Sequence, residues 1–171
     1  MSFKILNSTS QDFQTILDLY ETARKLQQKV FPEVVWPKFE NQLITDEINN
    51  SKQWKLIIDN KIACIWAITY SDEQIWEQLN NQPAIYIHRI ATNPDFKGLN
   101  FVEKIVTWAK RHAKLKNKKF IRLDTCGNNL KLIKHYKKNG FDFLGITNLK
   151  NTNNLPKHYH NAPVCRFEIK L

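Results

Sequence analysis

Ile87-His88-Arg89-Ile90-Ala91-Thr92-Asn93-Pro94-Asp95-Phe96-Lys97-Gly98-Leu99-Asn100-Phe101-Val102 carries a hydrophobic strand through a proline-bounded turn into a helix. The helix is announced by apolar residues at Phe101, Val102, Ile105, Val106, Ala109 and Ala113, a helical spacing that places it from about Gly98 to Leu115. Further on, Asn129-x6-Tyr136-x3-Gly140-Phe141 reads as a second helix with one tyrosine on its inner face. This order predicts a set of backbone N–H donors at a helix start, close to the end of a buried strand. Such donors suit a phosphate or pyrophosphate. A buried phenol nearby suits proton donation to a leaving group. Together they point to an enzyme that holds a phosphorylated carrier and moves a group off it.

Working outward, Phe3–Leu6 reads as a short strand, and Ser8-x-x-Gln11 as a capping box that opens a helix with Phe13, Ile16, Leu17, Tyr20, Ala23 and Leu26 inward. Lys29–Pro37 is an aromatic loop, and Pro37 suits the first position of a second helix. Trp54–Ile58 and Lys61–Tyr70 form a hairpin across Asp59-Asn60, residues that tolerate positive φ. Ser71–Pro83 is a polar excursion carrying Trp76. Strands follow at Ala84–Thr92, Phe120–Thr125, Phe141–Ile146 and Val164–Ile169, with a helix over Asn129–Asn139 and a long polar loop before the last strand. The series predicts one α/β (α+β) domain over residues 1–171: a mixed sheet of six to seven strands with helices on both faces. Its central parallel pair is Ala84–Thr92 with Phe120–Thr125, joined by a right-handed crossover, and a ligand is expected at the C-terminal ends of those strands.

Composition narrows the class. The chain has 171 residues and no linker, repeat or low-complexity tract, which favours one domain with a sizeable core. Its longest apolar run, Ile62–Ile68, is too short to span a bilayer, and the N-terminal residues do not read as a signal peptide. Three scattered cysteines (Cys64, Cys126, Cys165) fit reduced thiols, and a cytoplasmic location is expected. The net charge of +10 invites an anionic partner. Its densest cluster, Lys110–Lys119, falls where a helix ends, so it also complements the helix dipole. No specific nucleic-acid site and no membrane contact are expected.

With these motifs in place, the chain resembles the GNAT N-acetyltransferase superfamily. The layout is similar over essentially the whole length, and the motifs match over about Ile87–Phe141. The family's phosphate loop usually reads Arg/Gln-x-x-Gly-x-Gly/Ala. The same positions here are Lys97, Gly98, Leu99, Asn100, Phe101 and Val102. Asn100 and Val102 still supply backbone N–H groups, and Asn tolerates a left-handed backbone, but Val102 is expected to crowd the cofactor or the adjoining strand. The resemblance implies acetyl-CoA as co-substrate, lying where the two central strands splay. Main chain at Ile90, Ala91 and Thr92 would bond the pantetheine arm, and the Lys97–Val102 amides would take the pyrophosphate, with charge from Lys97 and Lys104. Asn129 matches a pantetheine-contacting position; its plain alternative is a helix N-cap.

Tyr136 matches the family's phenol near the thioester sulfur, with a core tyrosine as the alternative. The acceptor amine must lose a proton to attack, and His88 is the better base by its ordinary pKa. It shares a strand face with Tyr86 and, by alternation, with Ile90. Its plain reading is a satisfied histidine in a half-buried strand. Arg89 and Asp124 are read as a structural ion pair. His158-Tyr159-His160 would place two imidazoles on one face if extended, but without a third ligand no metal is expected. Phe31 and Trp36 could wall the acceptor site, and Cys126 reads as a small residue at a strand end. The leading reading is direct acetyl transfer from acetyl-CoA to a small-molecule amine in a ternary complex, with a protein amine second and a homodimer left open. The other reading is a non-catalytic CoA-binding or interaction module of the same fold.

Overall fold

The Asp59-Asn60 turn, with φ of 48° and 61°, closes the hairpin from which the sheet grows. The computed structural model describes residues 2–160 and 162–171. Its elements are β1 (Lys4–Asn7), α1 (Phe13–Val30), α2 (Asn41–Asn49), β2 (Gln53–Ile58), β3 (Lys61–Thr69), the single-turn α3 (Glu73–Trp76), β4 (Ala84–Thr92), α4 (Phe101–Leu115), β5 (Phe120–Cys126), α5 (Leu130–Lys138), β6 (Asp142–Thr147) and β7 (Val164–Lys170). Seven strands form one sheet in the order β1-β2-β3-β4-β5-β7-β6. The fold class expected from the pattern is the one observed, with β4 and β5 parallel and every other neighbouring pair antiparallel.

The β4–β5 ladder is short. It runs from Ala84↔Phe120 to Tyr86↔Arg122 and stops. Beyond it β4 keeps only β3, through Ala67↔His88, Ile65↔Ala91 and Cys64↔Thr92, while β5 stays with β7 as far as Cys126↔Val164. A wedge opens between the two strands, and the β4 edge facing it has backbone groups free for a ligand. Within that stretch Arg89 and Ile90 stand opposite Trp66 alone, and Arg89 has φ +51°. Two residues against one make a β-bulge, which re-aims side chains at its site.

Both faces are covered. Ile85, Ile87, Ile121, Leu123 and Phe167 pack with α4 and α5, and fully buried Ile105 of α4 alone is worth about 1.5–3 kcal/mol of apolar burial. Ile65 and Ala91 pack on the other face with Ile16, Tyr20 and Ile44 of α1 and α2. Several boundaries differ from expectation. The N-terminal cap is Thr9 with Asp12, whose carboxylate accepts from the Thr9 N–H at 2.7 Å and from Lys55 Nζ at 2.5 Å. Lys55 arrives from β2, a partner no local pattern announces. The second helix starts at Asn41, after Glu40, instead of at Pro37.

The Ser71–Pro83 segment is more than a polar excursion. It inserts Ile75 and Trp76 into a third cluster with Ala84, Tyr86 and Val164. Under it lies Arg122, fully buried, bonded to Glu168 at 2.7 Å, to the Leu79 carbonyl at 2.6 Å and to Gln82, with the Trp76 ring 4.8 Å from its guanidinium. A buried arginine is tolerable only when its donors are satisfied this completely.

Candidate active site

The turn that precedes α4 is built from unusual backbone. Asn93 accepts from the Asp95 N–H and donates to the Ile62 carbonyl at 2.9 Å, which pins the chain as it leaves β4. Gly98 follows with φ +89°, and Asn100 with φ 44° and ψ 60°, in the left-handed region. The helix therefore begins at Phe101, later than its apolar spacing suggests, because two left-handed residues cannot belong to it. Asn100 holds this geometry through Nδ2, which donates to Glu103 and to Asn139 at 3.1 Å each, tying the α4 start to the end of α5. Val102 is 7% exposed and packs largely into the core beneath the turn, with part of its surface on the cavity above it. Its N–H stays among the first-turn donors that a helix leaves without an internal partner.

A cavity of about 380 Å³ opens over these donors, lined by Ile90, Thr92, Gly98, Leu99, Asn100, Phe101, Val102, His135 and Lys138. Most of the sequence-read carrier residues are thus gathered in one place. Ala91, Lys97 and Lys104 do not line it: Ala91 is buried toward α1, and Lys104 Nζ lies 5.5 Å over the Phe3 ring. The positive charge at the cavity is Lys138, which sequence reading missed together with His135. Their i, i+3 spacing on α5 was the available signal. Asn129 is an N-cap, with Oδ1 accepting from Lys131 and Leu132 N–H at 3.1 Å each. Its Nδ2 is the group left to meet a carrier.

Tyr136 sits in the core below the wedge, 8% exposed, its ring centroid 5.1 Å from Phe167 and 5.8 Å from Phe141. Among the described residues no hydrogen bond engages its hydroxyl. Burial raises its pKa, and the nearby Asp124 and Cys64 raise it further. The phenol is therefore protonated throughout the neutral range.

On the opposite face, Tyr86 and His88 of β4 stand beside Arg122 and Asp124 of β5. Ile90 does not join them, because the bulge at Arg89 breaks the alternation and turns Ile90 toward the α4 side. Arg89 does not pair with Asp124 either. It is bonded to Glu47 of α2 and lies over the Tyr20 and Phe39 rings at 5.8 and 5.2 Å. His88 is recessed, its Nε2 2.8 Å from Thr69 Oγ1. Burial and the Arg89 charge depress its pKa to about 3, which keeps the ring neutral and makes it a weak proton acceptor.

Asp124 instead accepts from the Tyr159 hydroxyl at 2.8 Å. Potential ligating atoms of Asp72, His88 and Asp124 all lie within 4.8 Å of one another. Burial raises Asp72 to about 7, with Asp124 adding to the shift, and raises Asp124 itself to about 6.

The loops that close this side are partly those expected. Phe31 stands so near Gly127, just past β5, that a Cβ there would meet its ring at 2.6 Å. Trp36 packs against Tyr20 and Phe39, at 6.3 and 5.8 Å. His158 and His160 are not on a strand: Lys157–Tyr159 is a helical turn, so the two imidazoles lose the shared face on which a metal reading depended. His160 bonds the Leu155 carbonyl at 3.0 Å. Burial pushes the Cys126 thiol far up, consistent with an inert small residue. No helix among the described residues is long and apolar enough to cross a membrane.

This arrangement has counterparts. A family model described as the acetyltransferase (GNAT) family matches residues 16–141. YesJ of Bacillus subtilis, an uncharacterized N-acetyltransferase, is 24% identical over 162 residues, spanning 84% of this chain and 90% of its own. A GNAT-family acetyltransferase from Listeria monocytogenes superposes with a TM-score of 0.77 at 21% identity, over 99% of this chain and 95% of that one. Drosophila melanogaster polyamine N-acetyltransferase has a TM-score of 0.70 at 7% identity, over 99% and 100%. The ribosomal-protein-S18-alanine N-acetyltransferase of Escherichia coli has 0.65 at 10%, over 99% and 94%. Structural likeness at these identities establishes the fold.

Proposed function

The chain belongs to the GNAT acetyltransferase family, and from that premise we propose that it moves an acetyl group from acetyl-CoA to a primary amine by direct attack in a ternary complex. One observation carries the reading: the wedge between β4 and β5 ends beside a turn whose left-handed Gly98 and Asn100 expose helix-start amides over a cavity with Lys138 at its rim. A pyrophosphate suits those donors, and a pantetheine arm suits the free β4 edge at Ile90–Thr92. The departures at Asn100 and Val102 are compatible with binding, since the first adopts the left-handed conformation and the second is mostly buried in the core. Tyr136 is the proton donor for the departing thiolate. A main-chain N–H near Ile90 stabilises the oxyanion. Holding donor and amine side by side supplies much of the rate.

A small-molecule amine is the acceptor this geometry favours over a protein amine. Past the end of the β4–β5 ladder, the opposite face carries the Asp72–His88–Asp124 group, with the Tyr159 turn bonded to Asp124, Phe31 against Gly127 and Trp36 beside Tyr20, side chains suited to enclosing a small acceptor. Acetyl-CoA at millimolar concentration should raise the melting temperature, and CoA thiol release should follow addition of an amine from a panel of alkyl mono- and polyamines. Absence of any thermal shift would remove the carrier site. Acetylation confined to peptide N-termini would move the acceptor to proteins.

A further inference from the structure

We propose that Asp124 is the base of the transfer: it takes a proton from the acceptor's ammonium group while Asp72 holds the same positive charge, so the acceptor is a cationic alkylamine. This rests on the N-acetyltransferase reading above. The placement follows from strand alternation. Ile121 and Leu123 of β5 face α4 and α5, so Arg122 and Asp124 face the other way. Arg122 is still paired with Tyr86 across the ladder; Asp124, two residues on, lies where β4 has parted from β5. It therefore stands at the wedge, near enough to Tyr136 for its charge to act on that phenol. Base and acid then flank the place where a thioester would lie.

The charge inventory points to the same partner. The chain carries 26 lysines and arginines, yet among the described residues neither Asp72 nor Asp124 is in an ion pair. Of the cations in the neighbourhood, Arg122 is paired with Glu168 and Arg89 with Glu47, while Arg166, the register partner of Asp124 on β7, makes no ion pair with it: it lies 5.9 Å from the Trp76 ring and reaches the Ile75 carbonyl at 3.5 Å, its Nε without a partner among the described residues. Asp72 Oδ2 is sealed from water and has no hydrogen-bond partner among the described residues. Tyr159 holds Asp124 Oδ2 and leaves the second oxygen to receive a proton. Two recessed carboxylates without a cation are costly unless the cation arrives with the substrate. The other titratable groups facing Asp124 are His88 on β4, Tyr136 on α5, and Cys126 and Cys165 on β5 and β7; all are in their neutral forms near pH 7.

The step balances. The ammonium gives one proton to the Asp124 carboxylate, and the freed nitrogen lone pair forms the C–N bond at the thioester carbonyl, whose π electrons move to oxygen. Collapse restores the carbonyl and breaks the C–S bond, the electron pair leaving with sulfur. Tyr136 protonates the thiolate, and the second nitrogen proton returns to the tyrosinate. Asp124 releases its proton to solvent, so one proton appears per turnover. Order matters here: burial keeps Tyr136 a weak acid throughout, but once Asp124 is protonated its added charge on the phenol is gone, and the proton is given up more easily as the thiolate departs. With its pKa raised to about 6, Asp124 is ionised at neutral pH yet a stronger acceptor than an ordinary carboxylate.

The test follows CoA release against pH for wild type, Asp124→Asn and Asp124→Glu with n-butylamine, putrescine and spermidine at saturating acetyl-CoA. The Asn variant should lose about 10²- to 10⁴-fold in kcat and lose the wild-type acid limb near pH 6, with acetyl-CoA binding unchanged; the Glu variant should recover part of the rate. An Asn variant that keeps both rate and acid limb overturns the assignment. Independently of turnover, n-butylammonium should lower the Asp124 carboxyl pKa followed by carbon NMR, and n-butanol should not; an unmoved carboxyl also overturns it. Amine turnover abolished by EDTA and restored only by added divalent metal would give the carboxylates to a metal and overturn it as well. Failure of acetyl-CoA to stabilise the protein sinks the transfer reading instead, and the carboxyl titration still judges the ammonium site.

Discussion

Tyr136→Phe separates a proton donor from a core tyrosine because the phenol's surroundings set the two costs far apart. The ring is held by Phe141 and Phe167, contacts that phenylalanine keeps. The hydroxyl has no described partner, so its removal leaves no orphaned group and relieves a desolvated one. Stability should be unchanged or rise by up to about 1 kcal/mol. Catalysis should respond very differently. The raised pKa makes the phenol a reluctant acid, useful only as the C–S bond breaks and charge builds on sulfur. Loss of one such positioned acid lowers kcat by roughly 10- to 1000-fold, with acetyl-CoA affinity near wild type. The assay is CoA release at saturating acetyl-CoA, paired with a urea melt of the same preparation. An unchanged kcat, or a stability loss equal to that of a broken buried hydrogen bond, would refute the argument and leave the thiolate to solvent.

Other outcomes are equally specific. Asn100→Pro should abolish acetyl-CoA stabilisation in a thermal-shift assay, since proline fixes φ near −65° where the turn needs +44° and also deletes an amide donor. Lys138→Glu should weaken acetyl-CoA binding by about tenfold at low salt and by less at high salt, measured by calorimetry, because a rim charge acts through a screened field. Asp72, with its pKa raised to about 7, binds its proton more tightly folded than unfolded. Its contribution to the unfolding free energy should therefore fall as pH rises from about 4 to about 7, against the rising contribution of buried, neutral His88 and His158, and Asp72→Asn should remove that falling part, a change of a few kcal/mol between urea melts at pH 5 and pH 8.

The geometry of the candidate carrier half was readable because its features are local. A turn that needs Gly98 and a left-handed Asn100, a helix start and an N-cap at Asn129 are all written within a few residues of where they act. The exceptions are informative. Lys138 was missed, and Lys97 preferred to it, because α5 meets the α4 start through long-range pairings such as the Asn100–Asn139 contact, which no window contains. Arg89 could not be placed by counting along β4, since a bulge adds a residue without a glycine or proline to announce it.

The acceptor half is long-range throughout. Asp72 follows β3, His88 is on β4, Asp124 on β5 and Tyr159 in the loop before β7; the sheet order alone brings them together. In sequence only His88 drew a catalytic reading, because a lone histidine attracts more notice than two aspartates. Their character comes from what surrounds them. Arg122 is buried and spent on Glu168, Leu79 and Gln82, so the one cation on the same face of β5 cannot neutralise Asp124. That arrangement depends on the Ser71–Pro83 segment folding over Arg122 with Trp76. The polar excursion thus keeps a carboxylate without a counter-ion at the mouth of the wedge. The acceptor chemistry is set as much by where the protein has used its own positive charge as by the residues that would touch the amine.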